Sequence, residues 1–202
     1  SITIPDTITS IGEGAFAGCV GLTGITIPDS VKRIEKEAFR DCSKLTSVII
    51  SDGVTNIGTS VFRGCTKLEN ITLPDSIKRI EREAFNYCEE LKEVIVGENS
   101  NIEFVGNRAF AYTKITNADF AQMAELGNGA FRKTMVTSFA FTKNQKIIPG
   151  YLFTDCKNLS EISFEDGVIT IGPGAFENTA VKNVVMPDSI VDFGGSTFED
   201  CK

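Results

Sequence analysis

Residues 25–47, ITIPDSVKRIEKEAFRDCSKLTS, are rewritten with variations along the whole 202-residue chain. Leu22, Ile25 and Ile27 form an L-x-x-I-x-I run whose last two apolar residues alternate with polar ones, the period of a half-buried strand. Pro28, Asp29 and Ser30 follow. Proline presets φ for a turn and Asp or Ser bonds nearby backbone, so the chain leaves the strand there. Val31 and Ile34 return to the core, and Glu35 to Asp41, around Ala38 and Phe39, has the composition of one or two helical turns. Cys42 and Leu45 lead into the next strand. A unit this small cannot bury its own apolar side and must stack on copies of itself.

Phenylalanine marks the period, at Phe16, Phe39, Phe62, Phe85, Phe110, Phe131, Phe153, Phe176 and Phe198, with spacings of 23, 23, 23, 25, 21, 22, 23 and 22. Residues 25–47 and 71–93 are close copies sharing P-D-S, K-R-I-E and E-A-F. Other units carry Ile-Gly at Ile11-Gly12 and Ile57-Gly58, or replace P-D-S by the turn dipeptides Asp52-Gly53 and Asp166-Gly167. Between residues 94 and 153 the spacing stretches and then shrinks around Glu98-Asn99-Ser100-Asn101, and P-D-S is lost from three units. A change of local curvature is expected there; drift of surface loops explains the irregularity as well.

Cys19, Cys42, Cys65, Cys88, Cys156 and Cys201 all lie three residues after the ruler phenylalanine, and Thr113, Thr134 and Thr179 take that slot elsewhere. Zinc would need paired ligands at short spacing, and the chain has neither these nor any histidine. A disulfide between stacked cysteines stays open, because strands lie about 4.8 Å apart and disulfide Cα separations begin near 4.4 Å. Parallel inward side chains suit a ladder of buried thiols better than the skewed S–S dihedral, and reduced, buried cysteines are expected.

The pattern L-x-x-(V/I)-x-(I/L)-P-D-S-(V/I)-x-x-I-x-x-x-A-F-x-x-C resembles the BspA-type leucine-rich repeat family over essentially the whole chain. The resemblance implies an α/β, right-handed leucine-rich-repeat solenoid of about nine repeats of about 23 residues. A parallel sheet would form one face, with short strands, turns or single helical turns on the other. Residues 1–202 are expected to form one such domain. The Asn ladder of ordinary leucine-rich repeats is mostly missing: its slot holds Thr7, Ser30, Gly53, Ser76, Asn99, Met123, Asn144, Gly167 and Ser189. Backbone groups there need other partners.

The 42% hydrophobic content supports a substantial core, and no apolar run approaches the roughly 18 residues of a membrane span. A net charge of −7 without a basic, aromatic-studded stripe argues against nucleic acid as a partner. The chain starts at a strand and stops in mid-unit, so it is expected to be a piece of a longer protein whose export signal lies elsewhere. Without His there is no Ser-His or Cys-His pair; no enzyme activity, cofactor or metal is expected. The acidic pairs Glu35/Glu37 and Glu81/Glu83, interleaved with Lys36 and Arg82, read as a solvated, charge-balanced loop.

Two columns of outward residues are expected along nine strands, Gly24-Ser47-Asn70-Glu93-Asn117-Ser138-Glu161-Asn183 and Thr3-Thr26-Ile49-Thr72-Ile95-Asp119-Ala140-Ser163-Val185, a strip about 38 Å long. It holds no aromatic and no Arg, the residue types that dominate binding energy. Family resemblance implies a bacterial surface-displayed or secreted binding module that adheres to host matrix or cell-surface proteins, with no membrane insertion in this segment. A structural spacer presenting another domain is the alternative. Candidate contact residues are Tyr87, Phe104 and Tyr112: both tyrosines lie two residues after a ruler phenylalanine, and Phe104 takes the slot of Arg33 and Arg79. Phe104 either faces solvent there or folds under the inserted loop as a satellite core.

Overall fold

The computed structural model describes residues 2–122 and 124–202, and it is a parallel β-solenoid whose nine ruler phenylalanines are separated by eight turns. Strands Gly24–Ile27, Ser47–Ile50, Asn70–Leu73 and Glu93–Val96 form a four-stranded parallel sheet in the order of the chain. Ile25 pairs with Val48 and Ile71 with Val94, so each repeat places the same residue above its equivalent. Alternation decides the faces: Ile25, Ile27, Val48, Ile50, Ile71 and Leu73 are buried while their neighbours look outward. After the turn a second, shorter ladder runs through Ser10–Ile11, Arg33–Ile34, Asn56–Ile57, Arg79–Ile80, Phe104–Val105 and Glu125–Leu126.

The E-A-F stretch is not helical, and its hydrogen bonds say why. The N–H groups of Glu37, Phe39 and Asp41 donate to Thr59, Val61 and Arg63 of the next coil, while those of Ala38, Arg40 and Cys42 donate three residues back to Glu35, Glu37 and Phe39. Alternate N–H groups therefore leave the coil, which no helix permits. The geometry needs left-handed residues two before and two after each ruler phenylalanine. Among the described residues every positive φ except that of Gly167 falls on these two slots, including Glu37, Asp41, Ser60, Glu83, Tyr87 and Tyr112. Among the described residues the one helical segment is the 3-10 turn Asp119–Ala121.

The ruler phenylalanines stack in one column with centroids 5.0 to 6.1 Å apart and rings within 14° of parallel. Phe39 to Phe176 in this column are fully buried; Phe16 and Phe198, in the outermost coils, are half-buried. Phe193, in the strand Asp192–Phe193, is 50% exposed and stands outside this column.

All six cysteines are free, four buried and Cys19 and Cys201 only partly so, again in the outermost coils. Each later thiol donates to the ruler carbonyl of the coil before it, Cys42 to Phe16, Cys65 to Phe39 and Cys88 to Phe62, at 3.1 to 3.3 Å. Burial pushes the Cys42 and Cys156 thiols up to about 11 and those of Cys65 and Cys88 higher still. Thr113 and Thr179 keep the role locally, donating to Phe110 and Phe176 at 2.8 and 2.9 Å. In the slot of the missing Asn ladder, the hydroxyls of Ser76 and Ser189 donate to the carbonyls of Val54 and Val168 at 2.6 and 2.7 Å. Met123, of the same slot, lies outside the described residues.

The expected nine-strand strip is interrupted. Among the described residues, the next strand of this face after Glu93–Val96 is Ser138–Phe141, paired only with Glu161–Phe164. Where a fifth strand would lie, Asn117 takes the Asp119 N–H on its Oδ1 at 2.6 Å and gives its Nδ2 to Asp119 Oδ2. This Asx-type turn closes the backbone on itself and starts the 3-10 segment. Phe120 swings inward, edge-on to Phe110 at 5.3 Å. Thr3, Asn183 and Val185 also lie outside strands, so the outward columns are shorter than expected.

Candidate functional site

The left-handed slot two residues after each ruler phenylalanine makes a column along the solenoid: Gly18, Asp41, Gly64, Tyr87, Tyr112, Lys133, Asp155, Asn178 and Asp200. The Tyr87 N–H donates to Ala111 and the Tyr112 N–H to Arg132, so backbone spacing sets the side-chain spacing. The two rings stack with centroids 4.5 Å apart and planes 17° off parallel. Lys133 Nζ stands 5.3 Å over the Tyr112 ring. Farther along, Asn178 Nδ2 donates to Asp155 Oδ1 at 2.8 Å, and Arg132 lies 3.6 Å from Asp155 Oδ2.

Beside this column runs an open groove of about 610 Å³ whose wall includes Tyr87, Tyr112, Met135, Lys133, Lys157 and Glu89. Tyr87 is 39% and Met135 43% exposed, which gives the groove an apolar floor for a partner side chain. Lys114, also on the wall, is held by Glu90 at 2.8 Å, and that contact draws the Glu90 carboxyl below its usual range. The floor is thus aromatic and thioether, rimmed by charges of both signs.

The structure brings Tyr87 and Tyr112 together and leaves Phe104 elsewhere. Phe104 lies in the short ladder, in register with Arg79, whose guanidinium covers its ring at 4.1 Å while bonding Glu81 at 2.9 Å. It is half-buried under that cation. Lys133, Met135, Asp155 and Lys157 were not among the candidate contact residues. Lys133 and Asp155 carry a signal, the fixed offset from the ruler phenylalanine, which places both in the tyrosine column.

Among the described residues no cluster of His, Cys, Asp and Glu could hold a metal ion, and no helix is long and apolar enough to cross a membrane. The family described as "BspA type Leucine rich repeat region (6 copies)" matches residues 1–117 and 99–202. This chain belongs to the BspA-type leucine-rich repeat family. A leucine-rich repeat protein of Bacteroides ovatus is similar over 100% of the BspA-type chain and 64% of its own, at 26% identity and a TM-score of 0.74. The chain therefore spans less than two thirds of that relative. A Treponema pallidum leucine-rich repeat protein is 27% identical over 87% of this chain and 74% of its own, with a TM-score of 0.57. The pneumococcal vaccine antigen PcpA shares the fold at 20% identity and a TM-score of 0.64, over 99% of this chain and 68% of its own. No curated protein matches by sequence. A BspA-type repeat array is a binding or structural module, and leucine-rich-repeat solenoids are typically non-catalytic.

Proposed function

We propose that this BspA-type segment is a non-enzymatic binding module of a surface-displayed or secreted protein, and that it holds a protein partner of the host matrix or cell surface through Tyr87 and Tyr112. The observation that carries the reading is the stacked tyrosine pair in left-handed backbone. That conformation costs a bulky residue about 1–2 kcal/mol, and Gly, Asp or Asn occupies the same slot in most other coils. Two strained, stacked and partly exposed tyrosines beside an apolar groove have the make-up of an interface hot spot. Surface location and adhesion rest on the family, and exclusion of nucleic acid on the −7 charge. The spacer reading draws on the sheet face, where Thr26, Ile49, Thr72 and Ile95 line up without an aromatic or Arg.

The test is binding of the chain to immobilised extracellular-matrix proteins, compared with a Tyr87→Asn/Tyr112→Asn double variant and with Phe104→Ser. Binding lost in the double variant at unchanged melting temperature, and kept in Phe104→Ser, supports the contact. Equal binding by all three refutes it, and no binding to any matrix protein favours the spacer.

A further inference from the structure

The interruption of the sheet leaves Glu93–Val96 an edge strand in the middle of the solenoid. Val94 and Val96 are half-buried, although Ile25, Ile27, Ile71 and Leu73 in the same slots are buried. Alongside runs a groove of about 530 Å³ walled by the whole strand, Thr116, Asn117, Asp119 and Phe120, within the usual size of a ligand site. The backbone direction follows from the repeat: the Ile27 carbonyl accepts from Ser51 and the Phe141 carbonyl from Glu165, each in the next coil. Val96 holds their slot and Val94 lies two residues before it, so both turn their N–H and C=O groups toward the groove, where no strand among the described residues meets them. The chain's own segment at 117–122 does not compete, since Asn117, Asp119 and Gln122 bond one another.

We propose that this groove is a second binding site, which takes an extended peptide segment of another protein as the missing fifth strand of the sheet. The recognition chemistry is a row of strand donors and acceptors from Val94 and Val96, with apolar room at Val94, Val96 and Phe120 for alternate side chains of the guest. The strands that occupy the equivalent place in other coils show what fits, an L-x-x-I-x-L run such as Leu68–Leu73. The site is separate from the tyrosine column and does not depend on it.

The probe is the acetylated, amidated peptide LENITLPD, copied from residues 68–75, added to the intact chain. Saturable binding with slowed amide exchange at Val94 and Val96 is expected, and N-methylation of the peptide at the positions of Asn70 and Thr72 should weaken it about tenfold or more. Thr116→Trp, which fills the groove from an exposed position, should abolish binding without lowering the melting temperature, and Tyr87→Asn should leave it unchanged. The proposal is overturned by absence of binding, by equal binding of the N-methylated peptide, or by protection elsewhere than Val94 and Val96. Protection of these amides without peptide, rising with protein concentration, would give the edge to a second copy and equally overturn it.

Discussion

Residues 25–96 and residues 97–146 repeat the same coil, but only the first stretch keeps the sheet of four-residue strands continuous. In the second stretch the strand row breaks at Asn117 while the phenylalanine column passes through unbroken, Phe85 to Phe110 at 5.1 Å and Phe110 to Phe131 at 5.8 Å. The turn bonds pass through as well: Phe85 donates to Ala109, Phe110 to Ala130 and Phe131 to Leu152, as Phe39 does to Val61. The phenylalanine corner, with the short ladder through Phe104–Val105 and Glu125–Leu126, crosses the break, and the sheet of four-residue strands is the part the solenoid can lose.

Phe62→Ala should therefore give the largest loss, about 3–5 kcal/mol by urea denaturation, because it empties the buried column. Phe120→Ala, at the half-buried ring where the sheet breaks, should cost clearly less; equal losses would break the contrast. Next comes Gly53→Ala, whose Cβ would meet the Asp29 carbonyl oxygen and the backbone of Val31, at about 1–3 kcal/mol. Gly12→Ala, with open space around it, should stay within about 0.5 kcal/mol.

The thiols give a pH test in both stretches. Burial raises Cys42 and Cys156 from 9.0 to about 11, so the unfolded chain loses these protons first as pH rises. Their contribution is complete below pH 9.0 and is lost between 9.0 and about 11. Chemical denaturation across that window should show stability falling more steeply in the native chain than in a Cys42→Ala/Cys156→Ala variant; parallel slopes would refute buried, protonated thiols. The smallest effect is expected for Tyr87→Asn. Relief of about 1–2 kcal/mol of left-handed strain offsets the roughly 0.5–1.5 kcal/mol of the ring stack. Its denaturation midpoint should barely move.

The column and the thiol ladder were legible in the sequence because Phe and Cys recur at a fixed offset and burial follows offset. The tyrosine pair was legible for the same reason. The left-handed slots were hidden: Glu37, Ser60 and Tyr87 are unfavourable choices for positive φ, and coil-to-coil bonding overrides local preference there. That override also turned the helical composition of Glu35 to Asp41 into a turn. The sheet break was invisible as a break, since Asn117 and Asp119 sit in register and only their mutual hydrogen bonds divert the chain. Phe104 was placed in the slot of Arg79, and that register does stack the two, but the guanidinium lying over the ring and half-burying it is a side-chain conformation that the offset does not fix.

The corner bonds have an electrical consequence. In each coil three peptide groups accept from the coil before through C=O and donate to the coil after through N–H, as the peptide joining Ala38 and Phe39 does between Phe16 and Val61. Repeated coil after coil, these groups form three parallel rows of aligned dipoles along the solenoid axis. Their N–H ends point toward the C-terminal coil, the reverse of an α-helix, whose free N–H groups lie at its N-terminus. The solenoid is thus polarised, with the positive ends of its peptide rows turned toward each following coil.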